Sequence, residues 1–332
     1  MAFSQSYANY DSIDNRVLWI NSNDPATLSE LLTAPYHTDK EKVRAIFRWI
    51  TQHISYYRPM VKSNKKNKTA NFFYGYASLE VDTGDLKPLT ERIAINTLVN
   101  RRAICDGYSR LFKSLCDHAC IPAEIITGYA RSDVDRVEQK FRSNHSWNAV
   151  YIDSAWQLLD VTWASGYLNR SNDDFIRYYD DYYFLTPPQD FIRHHYPDDL
   201  RWTLLERTPP LYEFRYMPFR PRSYVKYDIK DYYPSRGIID AKLGDTIHLE
   251  LETNVPYRNV SIAPDSLWEE STLVTDPSFA YLNPVAIGSG KKVTYSFAVN
   301  SELVEWLYIM YNNDAVLRYR VNIKKDKDRD KK

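Results

Sequence analysis

RRAICDGYSRLFKSLCDHAC, residues 101–120, is the stretch whose reading decides the fold. Its apolar and aromatic side chains fall at Tyr108, Leu111, Phe112, Leu115, Cys116 and Ala119, one stripe at helical spacing. The spacing predicts a buried amphipathic helix that opens at Cys105. Unpaired backbone N–H groups and the positive end of the helix dipole favour a thiolate there, which makes Cys105 a candidate nucleophile. Gly107 adds a point of close backbone approach. A buried cysteine is otherwise a small packing residue, so the reading depends on what else the chain brings to it.

Downstream, NHSWNAVYIDSAWQLLDVTWASG, residues 144–166, supplies a histidine and an aspartate. HSWNAVYI and AWQLLDVTW read as two strands joined by a tight turn at Asp153 and Ser154. Alternation puts His145, Trp147, Ala149 and Tyr151 on one face, and Trp156, Leu158, Asp160 and Thr162 on the matching face. With Ala155 opposite Ile152, Thr162 opposes His145 and Asp160 is its diagonal neighbour. Diagonal pairs lie about 7–8 Å apart at the backbone, within reach of an imidazole–carboxylate hydrogen bond. An aspartate inside so apolar a run needs a partner to offset its desolvation, and His145 is the natural one. Cys105, His145 and Asp160 together make a nucleophile, a base and an orienting acid. His194 and His195 are rivals for the base. Their segment is bounded by Pro187, Pro188 and Pro197 and forms no strand beside Asp160, so both are expected to be structural or at the surface. His37, His53, His118 and His248 have no nearby chemistry.

These pieces carry a resemblance. The run Arg102–Ser109, the H-x-W-N strand at His145–Asn148 and the L-L-D-x-T-W run at Leu158–Trp163 resemble the transglutaminase-like superfamily of papain-type cysteine enzymes, over residues 38–205. YYFLTPPQDFIRHHYPDDLRWTLL, residues 182–205, further resembles the branch that includes the kyphoscoliosis peptidase. The resemblance implies acyl transfer through a thioester on protein or peptide amides, resolved by water in a protease or amidase, or by an amine in crosslinking. Hydrolysis is the first expectation, because no loop of spaced Asp and Asn ending in Glu suggests a calcium site. The same superfamily contains degenerate copies, so the alternative is an inactive scaffold that binds protein partners. Tyr108, Trp147 and Trp163 are aromatic candidates for substrate contact. The Cys105 backbone N–H is one expected oxyanion donor.

Composition narrows the classes. The 332 residues, 44% hydrophobic and 15% aromatic with 28 tyrosines against 9 glycines, are enough for a large core and two domains. Forty-three basic and 43 acidic residues cancel, so no overall field favours nucleic acid. Three cysteines make no disulfide framework, and Cys116 and Cys120 are expected in the core. No CxxC pair or HExxH occurs, so neither metal nor cofactor is expected. No run suits a membrane span. The opening MAFSQSYANYDSID looks like the tail of a removed leader, so export to the periplasm or outside the cell is expected. Nothing specifies an oligomeric state.

The expected architecture is α+β: a papain-like transglutaminase core followed by an all-β immunoglobulin-like sandwich. Residues 1–36 are a lead-in, with a helix starting at Asp24 and Pro25; 37–207 form the catalytic domain. HTDKEKVRAIFRWITQHISYY begins a long helix with a Thr38/Glu41 capping box. The lysine-rich stretch 61–75 is a solvated loop placed to act as a flap. TERIAINTLVNRR is a short helix and IPAEIITGYAR a strand. Proline-rich 208–223 is a linker, 224–325 the sandwich, and 326–332, the end of the charged run KKDKDRDKK, a disordered tail. In the sandwich, GDTIHLELET, RNVSIAPD, KKVTYSFAVN, EWLYIMYN and AVLRYRVNIKK read as strands, with a hairpin turn at Asn312 to Asp314.

Overall fold

A computed structural model describes residues 10–57, 87–131, 141–169, 174–258, 277–287 and 292–324. Residues up to Ala130 together with Phe141–Glu206 form one compact unit; Arg131 and the chain from Arg207 onward form a second. The stretches expected as a flap (61–75), as the strand RNVSIAPD and as the charged tail lie largely or wholly outside the described residues, as does most of the polar loop DVDRVEQKFRSN.

The first unit opens with α1 (Asp11–Val17) and α2 (Pro25–Thr33). Asp24 caps α2, accepting from the Thr27 N–H at 2.8 Å, and Pro25 supplies the first helical residue. These helices are not a lead-in. Ile13, Val17, Leu28 and Leu32 belong to the same buried cluster as Val43 and Phe47 of α3 (Asp39–His53). Thr38 and Glu41 close the expected capping box on α3. β1 (Ser55–Tyr56) and β2 (Arg102–Ala103) pair in parallel on either side of α4 (Leu89–Asn100), which fixes the entry into α5 (Cys105–His118). Tyr108, Leu111, Phe112, Leu115 and Cys116 of α5 are all fully buried, as the stripe requires. Cys120 is exposed instead: α5 has ended, and Cys120 takes a left-handed φ of 56°, which turns it out of the stripe.

α5 packs on an antiparallel sheet built from β3 (Ala123–Ala130), β4 (His145–Ile152), β5 (Ala155–Leu159) and the late strand β8 (His195–Pro197), in the order β5-β4-β3-β8. The expected register holds, with Ile152 opposite Ala155 across a two-residue turn whose Asp153 and Ser154 have φ of 52° and 63°. β4 is central and buried on both faces. Asn148 points to α5, donating to the Ser109 carbonyl at 3.0 Å, while Trp147 and Ala149 join Ile126, Leu158 and Phe191 in a second cluster. The strand β5 stops at Leu159, so Asp160 is no strand residue and Thr162 does not oppose His145. Asp160 caps α6 (Val161–Ser165). There follow β6 (Gly166–Leu168), β7 (Phe175–Arg177), a 3-10 turn at Asp181–Tyr183, α7 (Pro188–Phe191), β8 (His195–Pro197) and a second 3-10 turn at Leu200–Thr203.

In the second unit the expected linker holds two short helices, α8 (Leu211–Tyr216), with Phe214 fully buried, and α9 (Arg222–Lys226). Two four-stranded sheets share one cluster of buried Leu, Ile, Val and Tyr side chains. One sheet contains β9 (Ile229–Tyr233), β11 (Thr246–Thr253), β13 (Ala286–Ile287) and β14 (Lys292–Ala298), all antiparallel. The other contains β10 (Ile238–Ala241), β12 (Phe279–Leu282), β15 (Trp306–Tyr311) and β16 (Asp314–Ile323). Here β10 and β12 run parallel to their neighbours, so the unit departs from purely antiparallel pairing. Asn312 and Asn313, at φ of 48° and 71°, form the expected hairpin turn between β15 and β16.

Candidate active site

Cys105 is the first residue of α5. The preceding Ile104 is extended and offers no side-chain cap, so the first-turn N–H groups have no capping side chain. Burial would raise the Cys105 thiol, but hydrogen bonding and charge from His145, joined by the side chain and backbone of Ser146, outweigh it and leave the thiol below its ordinary range. Asp106, beside it, is an anion that would oppose a thiolate. Arg110 neutralises it, placing Nε 2.9 Å from both carboxylate oxygens, and a further Arg110 nitrogen donates to Thr90 of α4 at 3.1 Å.

His145 opens β4. Its Nε2 lies 2.7 Å from Asp160 Oδ2, which leaves Nδ1 as the ring nitrogen to meet the sulfur. Burial disfavours the imidazolium, yet the Asp160 charge and hydrogen bond, together with Cys105, push His145 up to about 10. Asp160 is held far below the usual carboxylate range despite complete burial, because both His145 and His195 donate or carry charge toward it. The other oxygen, Oδ1, accepts from the backbone N–H of Thr162 at 2.8 Å and of Trp163 at 3.0 Å. Four donors therefore surround one carboxylate, which satisfies a charge that nothing solvates.

The fourth donor is His195, expected to be structural or exposed and in fact neither remote nor exposed. It is 1% exposed, and its Nε2 lies 2.9 Å from the same Oδ2 that accepts from His145. His195 does not come to Asp160 on a strand beside β5. β8 pairs with β3 at the opposite edge, Ala130 facing His195, and Asp160 reaches it by leaving the sheet to cap α6. A three-residue strand gives no periodic signal; the one available hint was an aromatic-rich segment holding two adjacent histidines. His194 is also buried, with its ring near Trp163 and Tyr183.

The three aromatic candidates divide. Tyr108 is fully buried and donates its hydroxyl to the Ile54 carbonyl at 2.8 Å, so it ties α5 to the end of α3 and is not placed to touch substrate. Trp147 is 1% exposed between the His145, Phe191 and His195 rings and is likewise a packing residue. Trp163 is only partly buried, with its ring centroid 5.6 Å from that of His145.

Among the described residues, His145, Asp160 and His195 are the cluster whose ligand atoms, all within 4.8 Å of one another, could hold a metal. Direct contacts of 2.7 and 2.9 Å, with imidazole protons in between, are hydrogen bonds and do not leave room for an ion.

The family model described as the transglutaminase-like superfamily matches residues 26–161, a span that includes Cys105, His145 and Asp160. That segment of the chain is transglutaminase-like. Over 205 residues, 61% of the chain and 28% of the relative, it is 30% identical to human kyphoscoliosis peptidase. Over 236 residues, 66% of the chain and 26% of the relative, it is 31% identical to hillarin of Drosophila melanogaster. The chain thus spans under a third of the length of those relatives. It is also similar to the crystal structure of the periplasmic domain of TgpA from Pseudomonas aeruginosa, at 14% identity and a TM-score of 0.29, covering 46% of this chain and 48% of that one. His195 lies beyond the matched core. No helix among the described residues is long and apolar enough to cross a membrane.

Proposed function

We propose that the chain is a cysteine-dependent acyl-transfer enzyme acting on protein or peptide amides, with Cys105 as nucleophile, His145 as acid and base, and Asp160 as the group that orients His145. The observation that carries this reading is His145 Nε2 at 2.7 Å from Asp160 Oδ2, with Cys105, whose thiol His145 lowers, at a helix start. The Cys105 sulfur attacks the carbonyl carbon, and the backbone N–H of Cys105 donates to the oxygen as it becomes negative. When the tetrahedral species collapses, the C–N bond breaks and His145 gives its proton to the departing amine. The acyl group is left as a thioester. Water then adds to that carbonyl, His145 takes its proton, and the C–S bond breaks to release the acid; an amine in place of water would give a crosslink. Hydrolysis is the proposed outcome. Trp163, partly open and beside His145, is the proposed substrate contact.

The test is the iodoacetamide alkylation rate of Cys105 across pH in a Cys120→Ser background, since Cys120 is the exposed competing thiol. A fast reaction persisting well below the ordinary thiol pKa of about 8.5 and lost on His145→Ala is expected. An ordinary thiol profile indifferent to His145 would overturn the enzyme reading and favour a partner-binding scaffold. With an active thiol established, release of acid against incorporation of a labelled amine separates hydrolysis from crosslinking.

A further inference from the structure

Asp160 Oδ2 sits between two imidazoles, and the proposed acyl-transfer chemistry uses only one of them. His195 is as deeply buried as the carboxylate, and its ring is fixed: it stacks on Phe191 at a centroid distance of 4.2 Å, with Trp163 at 4.7 Å and Trp147 at 5.0 Å. So enclosed a ring cannot swing away, and its Nε2 can point at little besides Oδ2. The groups that face it are Asp160 from the cap of α6, His145 from β4, His194 from its own segment and Tyr183 from the preceding 3-10 turn.

We infer that His195 is a positioning residue, a neutral imidazole that donates Nε2–H to Asp160 Oδ2 and so fixes the oxygen that His145 leans on. The inference rests on the acyl-transfer reading of Cys105, His145 and Asp160. Oδ1 is pinned by two backbone N–H groups and Oδ2 by two ring N–H groups, so the carboxylate can neither rotate nor pick up a proton without losing a donor. Two charged imidazoles 5.6 Å apart around one anion would repel in a dry site, so the pair divides the roles. His145 carries the proton that pairs with the thiolate. Burial and the nearby His145 charge outweigh the Asp160 contact and pull His195 down to about 4, which keeps it uncharged wherever the enzyme works. Remove the His195 donor and Oδ2 loses the partner that fixes its position. The hydrogen bond that holds His145 then slackens, and the imidazolium that supports the Cys105 thiolate weakens.

The experiment compares the pH profile of Cys105 alkylation by iodoacetamide in the full chain carrying Cys120→Ser with the same protein bearing His195→Phe, His195→Leu or His195→Gln. Phe and Leu keep apolar bulk without a donor, whereas the Gln side-chain amide places an N–H near the Nε2 position. The acid limb should move up by about one pH unit in the two donor-free variants, about tenfold in rate below it, and return most of the way in His195→Gln. Histidine 15N spectra of the parent should show His195 as the neutral Nε2–H form at about pH 6, where an ordinary histidine is largely protonated. Donor-free profiles that overlay the parent, a Gln profile displaced as far as Phe, or a charged His195 at that pH would each overturn the inference while leaving the Cys105–His145 pair intact. An ordinary thiol profile in the parent itself would overturn the acyl-transfer reading and this inference with it.

Discussion

His145 and Asp160 form an ion pair at 2.7 Å in which neither partner is more than 6% exposed. Such a pair writes its own dependence of stability on pH. Asp160 is depressed by folding, so its contribution is present above its unfolded value and lost as pH falls through the folded one. His145 is raised to about 10, so its contribution is complete below the unfolded histidine range, near pH 6.5, and declines as pH rises toward 10. Stability of the first unit should therefore be greatest between about pH 4 and 6.5 and fall on the alkaline side. Asp160→Ala, which leaves a buried imidazole without its counter-charge, should cost about 3–5 kcal/mol and flatten that decline. Urea denaturation followed by tryptophan fluorescence at several pH values measures both.

Gly128 lies where β3 meets β8. A Cβ there would stand 2.3 Å from the Tyr196 carbonyl oxygen, 2.7 Å from Pro197 Cα and 2.7 Å from the Trp147 ring, and two of those are backbone atoms that cannot step aside. Gly128→Ala should cost about 1–3 kcal/mol or more and loosen β8 from the sheet. Because β8 carries His195, the loss of stability should come with a displaced His195 ring signal in histidine spectra. A purely local packing defect would leave that signal unmoved.

The residues that made the site legible were those whose periodicity could be read locally. The stripe from Tyr108 to Ala119 located α5, and the Asp153–Ser154 turn set the β4–β5 register that brings His145 near Asp160. Thr38 with Glu41 marked the start of α3, and Asp24 with Pro25 marked α2. What could not be read was long-range or aperiodic. Asp160 leaves its strand one residue early because its side chain is more useful as the cap of α6, accepting two backbone N–H groups, than as a strand residue. His195 reaches the same carboxylate from a three-residue strand on the far edge of the sheet. The proline-rich stretch near Phe214 reads as a linker by composition, yet Pro210 and Pro221 each stand immediately before a short helix.

Arg44 shows why the first helices are integral to the core. It projects from α3 with a side chain only 4% exposed, makes a two-pronged contact with Asp14 of α1 at 2.7 and 2.8 Å, and also pairs with Asp181. Arg44→Ala removes a buried cation and should destabilise the unit by about 3–5 kcal/mol. Arg44→Met, which keeps the stem that packs near Tyr10 and Phe184, should recover part of that loss. Thermal or urea unfolding of the two variants side by side separates the charge from the packing.

Asp160→Asn distinguishes the cap from the charge. Asparagine caps helices as well as aspartate does, so Oδ1 can still accept from Thr162 and Trp163 and α6 should keep its place. An amide NH2 facing His145 Nε2, however, cannot accept the ring N–H and obliges His145 to take the other tautomer, with its proton on the nitrogen that should face the sulfur as a base. Turnover should fall by about a thousandfold to ten-thousandfold, with circular dichroism unchanged. The alkaline limb of activity, expected near 10 where His145 loses its proton, should move toward the ordinary histidine range. A variant that keeps both its rate and its alkaline limb would show that Asp160 serves α6 alone and that His145 draws its basicity from elsewhere.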